Sequence, residues 1–359
     1  MTIKDVISRF DTTPFLFVGS GLTRRYLGLP NWEGLLDHFA HEVKNSRHSL
    51  LEYKVQTGLP LTSDPDIMLP KVAALIEHDY NLKWIKNPNI RHINDSCITS
   101  RNSPFRYELA QYITSISNVN DSYADEIRLL KEISEKSISG YITTNYDMFL
   151  ENLLPDYKCY IGQKDILFEP VQGIAEIYKI HGSIERPESI VITESDYNEF
   201  NEKKGYLSAK LLTIFVEYPI IFIGYSMSDK DIDNIIKWIV GSLDRDQMQV
   251  FQERFIFINY DETAAEPRVE TFFYPLKGHH EYVTMTAITL ADFSLLYKEL
   301  ACRERKLPVR LLRRFKSELY DFVVDRDAAA KAKVSMPDDE HLLDDDLVLT
   351  IAKATESRH

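Results

Sequence analysis

Five short apolar runs limit what this chain can fold into more than any other feature. Phe15–Val18 (FLFV), Gly140–Ile142 (GYI), Ile177–Ile180 (IYKI), Ile220–Ile223 (IIFI) and Phe255–Ile258 (FIFI) consist mostly of β-branched and aromatic residues. Runs this brief and this continuously apolar fit strands that are covered on both faces. Stretches with helical periodicity separate them, and strands alternating with helices build a parallel sheet. The expected fold is therefore α/β: a Rossmann-like parallel sheet with helices on both faces.

The long interval between the first and second runs reads as helical. Asn31 can cap a helix through Trp32, Leu35, Leu36, Phe39 and Val43, and Pro70 is expected to start another carrying Val72, Ala73, Ile76 and Tyr80. Ser103-Pro104 supplies a cap followed by proline in the first turn, and Asp121 can cap a helix with Ile127, Leu130 and Ile133. The expected division is a sheet domain at 1–30 and 139–300, a helical insertion at 31–138, a C-terminal helix at 301–325 and an acidic tail at 326–359. In the C-terminal helix Leu312, Phe315, Leu319, Phe322 and Val323 share a stripe, with Arg310, Arg313, Arg314 and Lys316 mostly off it on a solvated basic side.

Lysine and arginine total 42 against 55 acidic residues, a net charge of −13. An acidic surface repels phosphate backbones, so direct nucleic-acid contact would need a local basic patch or a partner. No apolar run approaches the ~20 residues of a membrane helix. The charged opening MTIKDVISRFD is unlike a signal peptide, so the expected location is the cytoplasm. Cys97, Cys159 and Cys302 are far apart and form no CxxC pair, which argues against a zinc ribbon or a disulfide framework. No metal is expected.

Ligands of open α/β sheets bind at the carboxyl ends of strands, and here each strand end carries polar residues. The first run ends on Gly19-Ser20-Gly21-Leu22-Thr23-Arg24-Arg25, where backbone N–H groups and arginine could meet a phosphate. The lysine and hydroxyl of a P-loop are missing. The second ends on Thr144-Asn145-Tyr146-Asp147, where Asp147 is equally suited to cap the next helix. The third ends on His181-Gly182, the fourth on Gly224-Tyr225-Ser226-Met227-Ser228-Asp229, and the last on Asn259.

In this order, GSGLT, GLPNW, TTNYD, HGS, GYS and IN resemble the nucleotide-binding core of the sirtuin family, in its bacterial sirtuin-like branch. The resemblance covers about 12–32 and 140–260, and extends loosely through Val191–Tyr197. Gly28–Trp32 is similar to the family's Gly-Ile-Pro-Asp-Phe stretch, with Glu33 where an arginine is expected. The four-cysteine zinc module of the deacetylases is missing. The resemblance implies cleavage of NAD, bound as substrate, in bacterial antiviral defence by abortive infection. It implies catalytic roles for Asn145 and His181, with Asp147 on the nicotinamide side. Gly19, Ser20, Gly21, Thr23 and Arg24 would face the diphosphate, and Ser226 and Asn259 the adenosine, with Asp229 a further candidate. It also implies a homo-oligomer and a separately encoded HerA-type DNA-translocase ATPase as partner. An NAD-dependent protein deacylase and a non-catalytic ADP-ribose or NAD sensor stay open. A methyltransferase reading of FVGSG lacks the acidic ribose-binding residue on a closely following strand.

Overall fold

The computed structural model describes residues 1–87, 98, 102–168, 173–203, 205–225, 236–237, 253–275 and 282–303, together with 309, 311–313, 316, 332–334 and 351–353. Its centre is an eight-stranded sheet in the order β3-β4-β2-β1-β5-β6-β8-β7. The strands are β1 (Phe15–Val18), β2 (Gly140–Thr143), β3 (Lys158–Ile161), β4 (Glu176–Lys179), β5 (Ile220–Ile223), β6 (Phe255–Tyr260), β7 (Arg268–Pro275) and β8 (Tyr282–Leu290). Seven run parallel, and β7 pairs antiparallel with β8 at one edge.

Every residue of β1 and β5 is fully buried. Side chains alternate between two apolar layers: Leu16, Val18, Tyr141, Ile177, Ile221, Ile223, Ile256 and Ile258 enter one. Phe15, Phe17, Ile142, Tyr178, Ile220, Phe222, Phe255 and Phe257 enter the other. Helices close both layers, which is why the strands show no polar alternation. The strands absent from the five apolar runs are β3, β7 and β8. The first is an edge strand with an exposed start, and β7 has exposed residues along its length.

Residues 32–116 hold α3 (Trp32–Lys44), α4 (Ser49–Gln56), α5 (Pro65–Lys86) and α6 (Pro104–Ile116), after α1 (Ile3–Ile7) and α2 (Ser20–Leu27). These four share a third core of Leu36, Phe39, Tyr53, Val72, Ile76, Phe105 and Leu109 with Ile190 and Ile192 of a later loop. The caps at Asn31 and Ser103 form as expected, accepting from the N–H groups of Gly34 and Arg106. α5, however, begins at Pro65 rather than Pro70, because Asp64 accepts from the Asp66 N–H and Pro65 occupies the first turn, leaving Pro70 inside the helix. Asn120, not Asp121, caps the 3₁₀ turn that leads into α7 (Ala124–Lys136). Packing assigns α7 to the sheet, since Leu129, Leu130 and Ile133 join the core beside β1 and β2.

Arg313 is not part of a solvated basic side. Its guanidinium reaches the fully buried carboxylate of Glu176 on β4 at 2.7 Å and the carbonyl of Ile174 at 3.0 Å. Arg310, Arg314 and nearly all of the acidic tail lie outside the described residues, as does Cys97.

Candidate active site

The chain leaves β1 toward β2 on one side, and later places β5 on the other side of β1. Such a reversal marks the position, beyond the carboxyl ends of the central strands, where sheets of this kind take ligands.

Three glycines weld the loops that follow β1 and β5. The Gly19 N–H donates to the Ile223 carbonyl at 2.9 Å, and the Gly21 N–H to the Gly224 carbonyl at 2.8 Å. A methyl at Gly19 would stand 2.6 Å from the Gly224 oxygen. Gly224 itself has φ +81°, and a methyl there would meet the Leu22 nitrogen at 2.6 Å. The glycines thus serve close approach of one protein loop to another. The N–H groups of Gly19, Gly21 and Leu22 are already committed to protein carbonyls, so the nest expected to receive a phosphate is largely filled. Ser20, at the start of α2, and Arg24, in its last turn, are exposed. Arg25 is tied elsewhere: it forms a two-pronged pair with Glu126 at 2.6 and 2.8 Å and lies over the rings of Tyr123, Tyr260 and Phe293.

Asn145 is fixed from β1. Its Nδ2 donates to the Gly19 carbonyl at 3.0 Å and lies 3.4 Å from the Thr23 hydroxyl, while its backbone N–H donates to Thr143 Oγ1. Its Oδ1 has no partner among the described residues. Thr23 is buried and its hydroxyl donates to the Ser20 carbonyl, so it supports Asn145 from behind rather than presenting itself to a diphosphate.

Asp147 is buried and accepts from the Phe149 N–H at 3.0 Å, which caps the short helix α8 (Phe149–Leu153). The Thr23 hydroxyl lies between its carboxylate and the Asn145 amide. Burial raises its pKa, with nearby Lys179 opposing that shift. Lys179 is a functional candidate that the sequence reading passed over. It is wholly buried, pairs with Glu151 at 2.7 Å and donates to the carbonyls of Tyr146 and Asp147, so it fixes the whole turn after β2. A charge inside the otherwise apolar run IYKI was the available signal.

His181 lies on the neighbouring strand. Thr143 and Lys179 are register partners, so Asn145 and His181 each stand two residues beyond the same paired position. The His181 ring is buried and meets the rings of Tyr197 and Phe200 edge-on, with centroids 5.6 and 5.1 Å away. Gly182 follows at φ +90°, where a methyl would collide with the Ser189 carbonyl at 2.2 Å; only glycine permits that turn. Trp32, from the GLPNW stretch, packs against Tyr197, and its buried indole N–H has no partner among the described residues. Thr144 bonds the Tyr225 hydroxyl at 2.9 Å, closing the wall between β2 and β5.

Asn259 sits at the carboxyl end of β6 and donates weakly to Thr289 at 3.4 Å, on the same edge as Asn145 but two strands from β1. Ser226 and Asp229 lie outside the described residues. Among the described residues no cluster of three or more histidine, cysteine or acidic side chains is arranged to hold a metal ion. None of the described helices is long and apolar enough to cross a membrane.

Residues 139–277 match the model of a family described as the SIR2-like domain. Curated relatives include an NAD(+) hydrolase ThsA from Cytobacillus dafuensis, 26% identical over 62% of this chain and 37% of that protein. A second NAD(+) hydrolase ThsA, from Bacillus cereus (strain MSX-D12), is 25% identical over 49% of this chain and 40% of its own length. Defense-associated sirtuin 2 of Bacillus subtilis is 28% identical over 38% of this chain and 14% of its own length. The matches thus span well under half the length of these relatives.

Proposed function

We propose that the chain is an NAD+ glycohydrolase, cleaving the nicotinamide–ribose bond to yield nicotinamide and ADP-ribose. One observation carries this reading: Asn145 and His181 stand at equivalent points on adjacent strands beside the switch point, with the Asn145 amide locked through Gly19. The family match includes both residues, and the names of the curated NAD(+) hydrolases point to the same substrate.

Breaking the bond between C1′ and the nicotinamide nitrogen sends the electron pair to the ring, which leaves neutral, and the ribose becomes oxocarbenium-like. Water adds to C1′ and gives up a proton. The Oδ1 of Asn145, without a partner among the described residues, suits a ribose hydroxyl or that water, because Nδ2 is already held by the Gly19 carbonyl. His181 is the group suited to take the proton at neutral pH. Asp147 acts as a buried brace behind them. Ser20 and Arg24 serve the diphosphate, and Asn259 with Ser226 the adenosine.

An unrestrained NAD hydrolase would starve its own cell. The proposal therefore includes a cytoplasmic, NAD-depleting role in abortive infection, restrained through the helical insertion or the C-terminal helix, in a homo-oligomer that works with a HerA-type ATPase partner. Nicotinamide release from NAD, measured with and without such a partner, tests it. Asn145→Ala and His181→Ala are each expected to lower release by about 10²–10⁴-fold with the fold retained. Equal turnover by both variants and the parent protein overturns the site. NAD consumption only with an acylated peptide would favour a deacylase, and tight ADP-ribose binding without release would favour a sensor.

A further inference from the structure

Residues 190–200 are gripped from two directions. On one side they touch His181: the Val191 N–H donates to the His181 carbonyl at 3.0 Å, and Tyr197 and Phe200 set their rings edge-on against the imidazole. Tyr146, next to Asn145, donates its hydroxyl to the Val191 carbonyl at 2.6 Å. On the other side the segment is clasped by the helical module. Arg106 of α6 sends Nη2 to both oxygens of Asp196, at 2.9 and 2.7 Å, and Nη1 to the Ile190 carbonyl. Asp196 also accepts the N–H groups of Ile192 and Thr193 at 3.1 and 2.8 Å, so one carboxylate gathers the whole turn. Lys71 of α5 reaches Glu194 at 3.4 Å, and Trp32 of α3 packs on Tyr197.

Arg106 is buried, and Glu77 of α5 holds it from behind at 3.1 Å. A planar guanidinium with several fixed acceptors has one orientation, so it transmits position rather than mere charge. We infer that Arg106 is a positioning residue for His181: through Asp196 it makes the placement of the imidazole depend on the seating of the helical module. This rests on the role given to His181 above. It also supplies the physical means by which anything that shifts residues 32–116 would change turnover, since the clasp joins that module to the loop on His181.

The test compares Asp196→Asn, Arg106→Lys, Arg106→Ala and Glu77→Ala in the full chain. Two readouts are taken: kcat and KM for nicotinamide release, and the ¹³Cε1–¹H resonance of the His181 ring, assigned by its loss in His181→Ala. Misplacement of a catalytic group by ~1 Å costs about 10²-fold. Asp196→Asn and Arg106→Ala should therefore lower kcat by roughly 10–100-fold with KM little changed, and should move the His181 resonance. Arg106→Lys keeps the charge but not the fork and should recover only part of the loss. Glu77→Ala loosens the same arginine from behind without touching residues 190–200, and should give a smaller loss of kcat and a smaller shift of the resonance than Asp196→Asn. A purely structural clasp predicts that Glu77→Ala matches Asp196→Asn, and that result overturns the inference. So does an unmoved His181 resonance in both Asp196→Asn and Arg106→Lys, two variants that still serve if Arg106→Ala does not fold. Should the parent protein release no nicotinamide, the functional reading fails alone, because the resonance still decides whether the clasp acts on His181.

Discussion

Lys179→Met tests how the turn carrying Asn145 is held. Methionine fills nearly the same volume as the lysine stem, so the change isolates the ammonium. In the native chain that ammonium is fully buried, 2.7 Å from Glu151 and bonded to the carbonyls of Tyr146 and Asp147. Its removal leaves a largely buried carboxylate and two carbonyls without their donor. Removing one member of a buried pair costs ~3–5 kcal/mol, most of it the penalty of the stranded partner. The double variant Lys179→Met/Glu151→Gln removes the charge stranded at position 151 and should regain about 2 kcal/mol of that loss. Asp147 adds a pH signature. Its folded pKa is raised by burial, and Lys179 is the main group pulling it down. A carboxyl with a raised folded pKa contributes stability that is complete below the unfolded value of 3.8 and is lost as pH rises through the folded value. Without Lys179 the folded pKa climbs further, so the deficit of the variant should be larger at pH 7.5 than at pH 5. Urea unfolding of the three proteins at both pH values reads all of this. A single-variant loss below ~1 kcal/mol, or a double variant as unstable as the sum of the two singles, would refute the reasoning.

Two further outcomes follow from the same geometry. Gly224→Ala combines φ +81° with a contact of 2.6 Å to the Leu22 nitrogen and should destabilise by several kcal/mol, whereas Gly28→Ala, at φ +66° but facing open space, should cost only about 1–2 kcal/mol; comparable melting temperatures for the two would contradict this. Burial beside Glu151 pushes the Cys159 thiol up to about 12, so brief maleimide labelling of the folded protein at pH 7.5 should mark exposed Cys302 and spare Cys159, as peptide mass spectrometry would show.

Much of the sheet was legible because its physics is local. A strand covered on both faces must be apolar at every position, and FLFV, IIFI and FIFI carry that demand in four letters each. The caps at Asn31 and Ser103 were legible for the same reason, since a cap bonds a backbone group three residues away. Strand β8 alternates and its partner β7 lies at the edge, so neither showed the continuous apolar run that marked the central strands. Pro70 misled because proline in a first turn and proline tolerated further along a helix look alike in sequence, until Asp64 is seen making the cap.

The candidate site divides along the same line. That Asn145 and His181 end strands could be read from the chain, and so could the need for glycine beside them. Tertiary structure decided what those residues touch: Asn145 is held by a carbonyl 126 positions earlier, and Thr23 faces inward as its support. Of two adjacent arginines, Arg25 is consumed by Glu126 and Arg24 is left at the surface. Local propensity acts over a turn of helix or a step of strand, so it reports which elements form. Side-chain partnership is set by sheet order and by how loops meet across it, and no stretch of neighbouring residues contains that information.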